Sequence, residues 1–369
     1  MQNKGIGVEV YLEAYARLGS CRAVARELNV HAETVRRSIR AHAKREGTDP
    51  AILGAMSESG MEDLDALHSG WIKTEKASLY FKMPGADPAS SFADRIREAL
   101  TDIPRAAPTE APKVNNTDLL TVYPIADAHI GMLAWGAETG EDYDTRIASE
   151  RICSWMQSVV DASPPSDTAL ILDVGDLTHA DDRTNMTPAS KHILDVDTRH
   201  YRTLEVTIWT MVQAVEIALT KHRRVIVVVL PGNHDPHACL AVMFALAERY
   251  RNEPRVEVQK KPGEFFVMEW GQCLLAAHHG DKAKAERLVL YMADRWPEMW
   301  GRSRHRFLFT GHLHHHKSAD IGGVQWEQLR ALTAKDAYAS SHAFIGRAQL
   351  QGITYHRETG VKFRTYVGA

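Results

Sequence analysis

Two hydrophobic patterns follow one another along the chain. Before about residue 45, apolar side chains recur at helical spacing, which predicts three short helices. From Leu119 onward, short apolar runs rich in β-branched residues alternate with helical stretches. Five of these runs are predicted strands, at 119–125, 169–174, 225–230, 273–277 and 307–310. Three later β-like segments, at 324–329, 349–355 and 361–367, are predicted to belong to a second sheet.

The three predicted N-terminal helices have recognisable ends and a cationic third member. Gly19-Ser20 ends the first helix and places Ser20 to cap the second, and Asn29-Val30 forms a tight turn before the third. The apolar positions of the three helices are Val10, Leu12, Tyr15 and Leu18, then Val24 and Leu28, then Val35 and Ile39. Five basic residues of the third helix would suit phosphates beside a duplex groove: Arg36, Arg37, Arg40, Lys44 and Arg45.

The pattern Gly-Ser-x-x-x-x-Ala-x-x-Leu-x-Val, which begins at Gly19, resembles helix-turn-helix DNA-binding domains. Ala25 would be the small residue that lets two helices cross closely. The resemblance implies a DNA-binding domain over residues 1–46. The alternative is a three-helix bundle that binds protein, with its arginines merely solvated.

The region between the helices and the first long strand is predicted to be small and partly extended. Residues 71–73 and 78–82 have the pattern of a β-hairpin, and a helix is predicted at about 89–100. Lys73, Lys76 and Lys82 either extend a DNA contact or keep the hairpin soluble. Three prolines, Pro104, Pro108 and Pro112, predict a linker. The predicted domains are therefore 1–46, 47–117 and 118–369.

Each of the five predicted strands ends just before a short block rich in His and Asp. The blocks are Asp127-Ala128-His129, Gly175-Asp176-Leu177-Thr178-His179, Gly232-Asn233-His234-Asp235, His278-His279-Gly280-Asp281 and Gly311-His312-Leu313-His314. Ligands in open α/β sheets gather where strands end, because loops from several segments converge there. The blocks therefore predict one site, with residue types that suit a pair of hard-to-borderline metal ions.

Composition predicts a soluble cytoplasmic protein of more than one domain. The chain has 369 residues, of which 44% are hydrophobic and 25% charged, so it can bury a substantial core. Its N-terminus has no apolar leader, and the longest aliphatic run, 225–230, is too short to span a bilayer. The four cysteines include no Cys-x-x-Cys pair and are predicted to be buried thiols.

Charge is unevenly distributed along the chain. Residues 1–50 contain nine Lys or Arg against six Asp or Glu, which leaves 35 against 41 in residues 51–369. The first segment therefore has a net charge of +3 and the remainder −6. This asymmetry predicts that the two parts meet different partners, with DNA as the partner of the basic segment.

The five blocks, in this order, resemble the calcineurin-like metallophosphoesterase superfamily, whose pattern is Asp-x-His, Gly-Asp, Gly-Asn-His-Asp/Glu, His-Gly and Gly-His-x-His. The resemblance covers roughly two thirds of the chain. It implies an α/β fold, a four-layered α-β-β-α sandwich, here preceded by the small all-α helix-turn-helix domain. It also implies two divalent cations, Mn²⁺ first, with Fe or Zn²⁺ as alternatives. The implied ligands are Asp127, His129, Asp176 and His314 for the first cation and Asp176, Asn233, His279 and His312 for the second.

The resemblance also assigns catalytic roles. Two cations lower the pKa of a shared water and stabilise an in-line attack on phosphorus. His234 would assist the leaving oxygen, with Asp235 orienting its ring, whereas the alternative is that His234 only packs near the metals. His279 is preferred to His278 as the ligand because the family's ligand directly precedes Gly, and His315 and His316 are predicted at the surface.

The arrangement Gly-Asp-Leu-x-His looks like that of DNA double-strand-break repair nucleases in this superfamily. There the equivalent of His179 helps position the scissile phosphate, although Thr178 replaces the usual aromatic residue. Asp181, Asp182 and Arg183 are interpreted as a polar loop, with a substrate wall as the alternative. Residues 282–306 mix cations with aromatic residues, and the two expected near the substrate are Lys282 and Lys284.

Three functions follow from these features. The first is a metal-dependent DNA nuclease brought to DNA by its N-terminal domain, an arrangement that resembles phage- or prophage-encoded calcineurin-like phosphoesterases. The second is a phosphoesterase for nucleotides, cyclic nucleotides or small phosphomonoesters. The third is a DNA-binding regulator with a vestigial phosphoesterase fold, which the presence of all seven ligands disfavours. Homo-oligomerisation is left open.

Overall fold

The computed structural model describes residues 6–18, 20–46, 69–73, 78–82, 104–113, 116–261, 263–343 and 345–368. The chain divides into two compact units, Met1–Ala99 and Leu100–Ala369. The helix predicted at about 89–100 lies outside the described residues.

The described part of the first unit contains three helices and a two-stranded sheet. The helices are α1 (Val8–Leu18), α2 (Cys21–Glu27) and α3 (Ala32–Glu46), at the places that the apolar spacing predicts. Ser20 caps α2, and its Oγ accepts a hydrogen bond from the backbone N–H of Ala23 at 3.2 Å. The helices bury Tyr11, Ala14, Val24, Ala25, Val35 and Ile39. The predicted hairpin strands pair antiparallel as β1 (Ser69–Lys73) and β2 (Ser78–Lys82).

The first large sheet contains six strands in the order β13-β12-β3-β4-β5-β6. Four of them are parallel neighbours: β3 (Asn116–Ile125), β4 (Ser166–Asp173), β5 (Arg224–Val229) and β6 (Val256–Val258). Their central members are buried along nearly their whole length, as expected for parallel strands covered on both faces. On the other side of β3, β12 (Gln349–His356) and β13 (Gly360–Gly368) extend the sheet with antiparallel pairs.

The second large sheet contains five strands in the order β10-β11-β9-β8-β7. The three inner strands β8 (Cys273–Ala277), β9 (His305–Thr310) and β11 (Val324–Gln328) run parallel. At the edges, β7 (Phe266–Trp270) and β10 (Lys317–Ile321) pair antiparallel with their neighbours.

Seven helices of the second unit are described. They are α4 (Gly136–Thr139), α5 (Thr145–Ala162), α6 (His200–Leu219), α7 (Ala238–Arg249), α8 (Ala285–Arg295), α9 (Pro297–Arg302) and α10 (Ala337–Ser341). No described helix is long and apolar enough to cross a membrane.

Three apolar cores stack the second unit into four layers. One core packs α5, α6 and α7 against the six-stranded sheet, through side chains such as Ile152, Met211 and Val242. The next lies between the two sheets and includes Leu170 and Phe309. The last packs α8 against the five-stranded sheet. The α-β-β-α architecture expected from the sequence is therefore confirmed.

Strand positions were predicted well, but the sheet of the last two strands was not. All five strands that precede a His/Asp block are present, and β11 lies in the second sheet as expected. The prediction that β12 and β13 belong to that sheet is wrong, because β12 pairs with β3 of the first sheet, with Ile353 opposite Val122. The alternation of these strands indicates one buried face and does not specify the neighbouring strand.

The Pro-rich segment predicted as a linker lies within the second unit, Leu100–Ala369. The Glu253 carboxylate accepts hydrogen bonds from the N–H and the hydroxyl of Thr109, both at 2.7 Å. The Arg255 guanidinium donates to the Thr109 hydroxyl at 2.6 Å and to the Glu110 carbonyl at 3.1 Å. These contacts hold residues 104–113 against the unit, since a buried guanidinium requires acceptors for its donors.

The cysteines only partly follow the prediction of buried thiols. All four are free, and Cys239 and Cys273 are buried, whereas Cys21 and Cys153 are half-buried. The pairing of thiols therefore contributes nothing to the described fold.

Candidate metal centre

The five His/Asp blocks meet at one end of the two sheets. Two groups of side chains place their ligand atoms within 4.8 Å of one another: Asp127, His129 and His314, and separately Asp176, His279 and His312. These six residues come from four of the blocks, and the remaining block contributes Asn233, whose Oδ1 lies 3.0 Å from His279 Nε2. All seven predicted ligands are therefore brought together, although their binding of a cation stays a prediction.

Asp176 lies between the two groups. Its Oδ2 is 3.2 Å from His279 Nε2 of the second group and 3.8 Å from His129 Nε2 of the first. The side chain is almost completely buried, with its residue 1% exposed. A carboxylate that faces both groups is the geometry required of a ligand shared by two cations.

The first group converges around His129. His129 Nε2 lies 3.1 Å from His314 Nε2, and His314 Nε2 lies 3.6 Å from Asp127 Oδ1. Two imidazole nitrogens this close repel unless a proton or a cation lies between them, because both present lone pairs. The group therefore has the donor set and convergence of a cation site.

His279 rather than His278 joins the second group, as the preference for the residue before Gly280 predicts. The Nδ1 of His279 contacts the Val174 carbonyl at 3.0 Å, which leaves Nε2 directed to Asp176 and Asn233. His278 instead accepts a hydrogen bond from the Gly280 N–H within its own turn, at 2.9 Å. A carbonyl that holds the second nitrogen is the usual way in which a ligating imidazole is oriented.

The backbone is strained at the predicted ligands. Among the described residues, nine other than glycine have a positive φ, and five of these are predicted ligands. The five are Asp127 (47°), His129 (44°), Asp176 (57°), His312 (73°) and His314 (58°). A left-handed conformation costs an L-residue about 1–2 kcal/mol. Strain concentrated at one set of side chains indicates a functional constraint on where they point.

Glycines allow the ligand loops to approach one another. A Cβ at Gly232 would lie 2.0 Å from Asp176 Oδ1, and a Cβ at Gly311 would lie 2.6 Å from Asp127 Oδ2. Both contacts are too short for any real side chain. The Gly in each of these two blocks is therefore required by the close approach of a ligand carboxylate.

His234 and His179 lie beside the first group. The His234 ring centroid is 4.6 Å from that of His129, and the His234 backbone N–H donates to Asp176 Oδ1 at 2.8 Å. His179 Nδ1 is 3.2 Å from His129 Nδ1, on the side of the ring away from His314. His179 is only 2% exposed, so it contacts His129 and His234 rather than open solvent. His129, His179 and His234 also form a third group with converging ligand atoms.

The contact expected between Asp235 and the His234 ring is wrong. His234 Nδ1 contacts the backbone carbonyl of His179 at 2.8 Å. The Asp235 carboxylate instead accepts backbone N–H groups of Asp176, Thr178 and Gly232, at 3.2, 3.0 and 3.0 Å. Asp235 therefore ties the second block to the third, because orphaned buried N–H groups compete for the nearest carboxylate.

The charges of the centre suit a set of cation ligands. Burial and the neighbouring His234 lower the pKa of His129 well below its ordinary value and the pKa of His179 to about 3, so both rings are neutral. Burial opposes charge on His279 as well, but the Asp176 carboxylate outweighs it and raises that pKa to about 10. A divalent cation would replace this proton between His279 and Asp176, because imidazole binds metals only when deprotonated.

Two further acidic side chains lie behind the ligands. Burial and the Asp176 carboxylate raise the pKa of Asp235 to about 7. Burial and Asp235 in turn raise the pKa of Asp173 well above its ordinary value. Asp173 accepts the Gly175 N–H through Oδ1 at 3.1 Å, whereas its buried Oδ2 has no hydrogen-bond partner. Sequence analysis did not identify Asp173, because the residue looks like the end of an apolar strand.

A paired histidine near the centre was also missed. His237 Nδ1 lies 2.6 Å from Asp181 Oδ2, and Asp181 Oδ1 accepts the N–H groups of His237 and Ala238, both at 2.8 Å. Asp181 therefore caps α7, where the sequence suggested only a polar loop. The spacing Gly-Asn-His-Asp-x-His contained the signal for His237.

The predicted nucleic-acid contacts are spread over both units. Lys282 forms an ion pair with Glu264, and Lys284 directly precedes α8. Both lysines line a cavity of about 520 Å³ that also includes Gly280 and Gly311, the neighbours of His279 and His312. In the first unit, Arg37 is exposed and Arg36 pairs with Glu33 at 2.6 Å. Arg40, Lys44 and Arg45 belong to α3, but the placement of their side chains is outside the described structure.

The chain has low sequence identity and low TM-scores with the solved structures that it matches. No protein-family model and no curated protein matches it. A predicted phosphoesterase from Streptococcus pneumoniae TIGR4 is 12% identical and has a TM-score of 0.28, with 68% of this chain and 98% of that chain covered. A dimetal phosphatase from Danio rerio is 9% identical, with a TM-score of 0.37 and coverage of 68% and 98%.

A third solved structure, an archaeal phosphodiesterase, is 12% identical and has a TM-score of 0.34, with 68% of this chain and 99% of that chain covered. TM-scores this far below 0.5 support no argument about activity. The buried carboxylates, the imidazoles and the amide oxygen of this chain fit two adjacent divalent cations.

Proposed function

We propose that this protein is a dinuclear-metal-dependent phosphodiesterase that acts on DNA. The observation that carries the proposal is the pair of ligand groups joined by Asp176, whose Oδ2 faces His129 on one side and His279 on the other. When bound, two cations at this position would hold a phosphate and activate a water for in-line attack. The side chains around the cations would assist the leaving oxygen and position the catalytic groups.

In this proposal, His234 assists the leaving oxygen. The His179 carbonyl can only accept a hydrogen bond, so the Nδ1 of His234 carries a proton and Nε2 is the atom left for the substrate. A protonated Nε2 donates to the leaving oxygen or neutralises its developing charge. His234 is half-buried, and its backbone N–H donates to the Asp176 carboxylate. The His234 ring is therefore oriented before substrate arrives.

Two buried groups position this machinery. Asp235 fixes the backbone of the second and third blocks through three N–H groups. His179 backs the His129 ring and supplies the carbonyl that holds His234. Both therefore act through other residues, and His179 would affect the phosphate through His129 and His234.

DNA as the substrate is supported by the first unit. Val35 and Ile39 of α3 are buried in the three-helix core, which leaves Arg37 on the exposed side. The first fifty residues have a net charge of +3, whereas the rest of the chain has −6 and would repel a polyanion. A basic helical unit in the same chain would compensate by raising the local concentration of DNA at the centre.

The test is Mn²⁺-dependent hydrolysis of labelled DNA and of bis-p-nitrophenyl phosphate by the full chain. Wild-type protein is expected to cleave both, and His234→Ala is expected to lose at least about a hundredfold in rate on each, within the range of general acid-base catalysis. The matched control is His315→Ala, an exposed imidazole adjacent to the fifth block. Hydrolysis of neither substrate by the metal-loaded wild type would overturn the proposal.

The contribution of the first unit needs its own comparison. Arg36→Ala/Arg37→Ala should weaken DNA cleavage and leave hydrolysis of the small ester unchanged, because these residues lie outside the catalytic unit. Arg17→Ala on α1 makes a charge change of the same sign for a residue already paired with Glu27. If both variants cleave DNA as the wild type does, the hypothesis that the first unit recruits DNA fails.

A further inference from the structure

Three large aromatic side chains are exposed on elements that adjoin the metal centre. Trp135, Tyr201 and Tyr338, here called the aromatic rim, are 67%, 79% and 58% exposed. Single exposed apolar residues are ordinary, but several on neighbouring elements mark a binding surface. Other tyrosines of the same unit, such as Tyr123 and Tyr143, are fully buried.

Hydrogen bonds connect the first part of the rim to the first His/Asp block. The segment that runs from His129 to Trp135 is paired with residues 195–197. Its Leu133 N–H donates to the Asp195 carbonyl, and the Asp197 N–H donates to the Gly131 carbonyl, at 3.0 and 2.9 Å. Trp135 directly precedes α4 and lies at the end of this hydrogen-bonded segment, which begins at the predicted ligand His129.

The other two aromatic residues are tied to the same segment. Tyr201 lies in the first turn of α6, where the side chain of Thr203 lies so close to Gly131 that a Cβ there would approach to 2.7 Å. Tyr338 lies on α10, and the hydroxyl of the nearby Ser340 contacts the Glu138 carbonyl at 3.3 Å. The three rings are thus carried by one connected set of elements that begins at the first His/Asp block.

We propose that the aromatic rim binds a single-stranded segment of nucleic acid, with unpaired bases stacked on Trp135 and Tyr201. This inference rests on the proposed phosphodiesterase function and names the strand state of its substrate. Flat exposed rings stack on bases whose faces are uncovered, and in a duplex those faces are covered by neighbouring base pairs. A rim of this kind therefore selects unpaired strands.

Charge supports a stacking surface rather than a purely electrostatic one. Residues 51–369 have a net charge of −6, so phosphate neutralisation alone would supply little affinity. Stacking does not depend on charge and compensates for this deficit. The same loop region nevertheless exposes Arg183, Lys191 and Arg199, which lets the backbone of a stacked strand meet cations.

The test separates binding from catalysis. The full chain is titrated into a fluorescently labelled thymidine oligonucleotide and into a matched duplex, with chelator present, and anisotropy reports the dissociation constant. Trp135→Phe should bind the single strand within about twofold of wild type, whereas Trp135→Leu should bind about tenfold more weakly, because an aliphatic side chain offers no stacking face. Tyr201→Leu should weaken binding in the same way.

Three readouts exclude a merely structural effect. The salt dependence of binding should keep the same slope in Trp135→Leu, because a stacked ring releases no counterion. The far-UV circular dichroism of Trp135→Leu should also match that of the wild type, which shows an intact fold. Trp209→Leu is the matched control, since Trp209 is a half-exposed tryptophan on α6 that packs against Arg249.

Equal binding of the single strand by Trp135→Leu and wild type would overturn the inference, and so would equal loss of affinity for duplex and single strand. The outcome is distinguishable from failure of the proposed function. A wild type that hydrolyses bis-p-nitrophenyl phosphate but shows no effect of the rim refutes only the rim. A wild type inactive on every phosphodiester refutes the proposed function, whatever the rim binds.

Discussion

Acidification should destabilise this protein through one histidine remote from the predicted ligands. His222 is fully buried, its Nε2 lies 2.8 Å from the Tyr123 hydroxyl, and its Nδ1 lies 2.9 Å from both the hydroxyl and the carbonyl of Ser166. Burial lowers the pKa of His222 from 6.5 to about 4. The folded state therefore resists protonation that the unfolded chain accepts.

The sign and size of the effect follow from proton linkage. Between pH 6.5 and pH 4 the unfolded chain binds more protons at His222 than the folded state, so the free energy of unfolding falls as pH falls. At pH 7 the folded and unfolded states bind nearly the same number of protons at His222. At pH 5, protonation of His222 in the unfolded chain lowers the free energy of unfolding by about 2 kcal/mol. This is a large part of a typical domain's stability.

The measurement is urea unfolding at pH 7, 6 and 5, followed by far-UV circular dichroism with chelator present throughout. His222→Gln is the comparison, because an amide keeps a donor and an acceptor and does not titrate in this range. The wild type should lose about 2 kcal/mol more than the variant between pH 7 and pH 5. Parallel losses of stability in the two proteins would refute the assignment of a depressed pKa to His222.

Three substitutions test other features. Gly232→Ala places a Cβ 2.0 Å from Asp176 Oδ1. It should reduce hydrolysis of bis-p-nitrophenyl phosphate at least about a hundredfold, while circular dichroism stays unchanged. Full activity would contradict the required close approach of Gly232 and Asp176. Asp235→Asn leaves the Thr178 N–H without an acceptor and should cost about 2 kcal/mol in urea unfolding, and an unchanged midpoint would refute this role. Arg255→Ala leaves four carbonyls without their donor, two of them buried and two part-buried, and should cost about 3 kcal/mol, with earlier proteolysis within 104–113. An unaltered digestion pattern would argue against it.

The strands before the blocks could be predicted because burial on both faces leaves a continuous apolar run in the sequence. The run 225–230, for example, corresponds to β5 within one residue at each end. The convergence of the His/Asp blocks was predictable for a related reason. His279 and its neighbours occur directly after such runs, and the ends of parallel strands meet at one edge of a sheet.

Features that depend on distant partners could not be predicted. Whether β12 joins the first or the second sheet depends on which edge is open next to β3, and its alternating pattern is compatible with either. The segment 104–113 has the composition of a linker, yet Glu253 and Arg255, more than 140 residues away in sequence, provide partners for it. The composition of a segment indicates its conformation in isolation. It does not indicate which distant residues pack against the segment.

The sequence by itself determined the kinds of elements in this protein and the residue types at the centre. Periodicity encodes which faces are buried, and the blocks carry the donors that divalent cations bind. Only the tertiary structure decided which groups hold the side chains around those donors: Asp235 ties two loops together, and the His179 carbonyl holds His234. The physical reason is that left-handed backbone at Asp127 and the other ligands is unfavourable locally, so only the packing of two sheets can impose it.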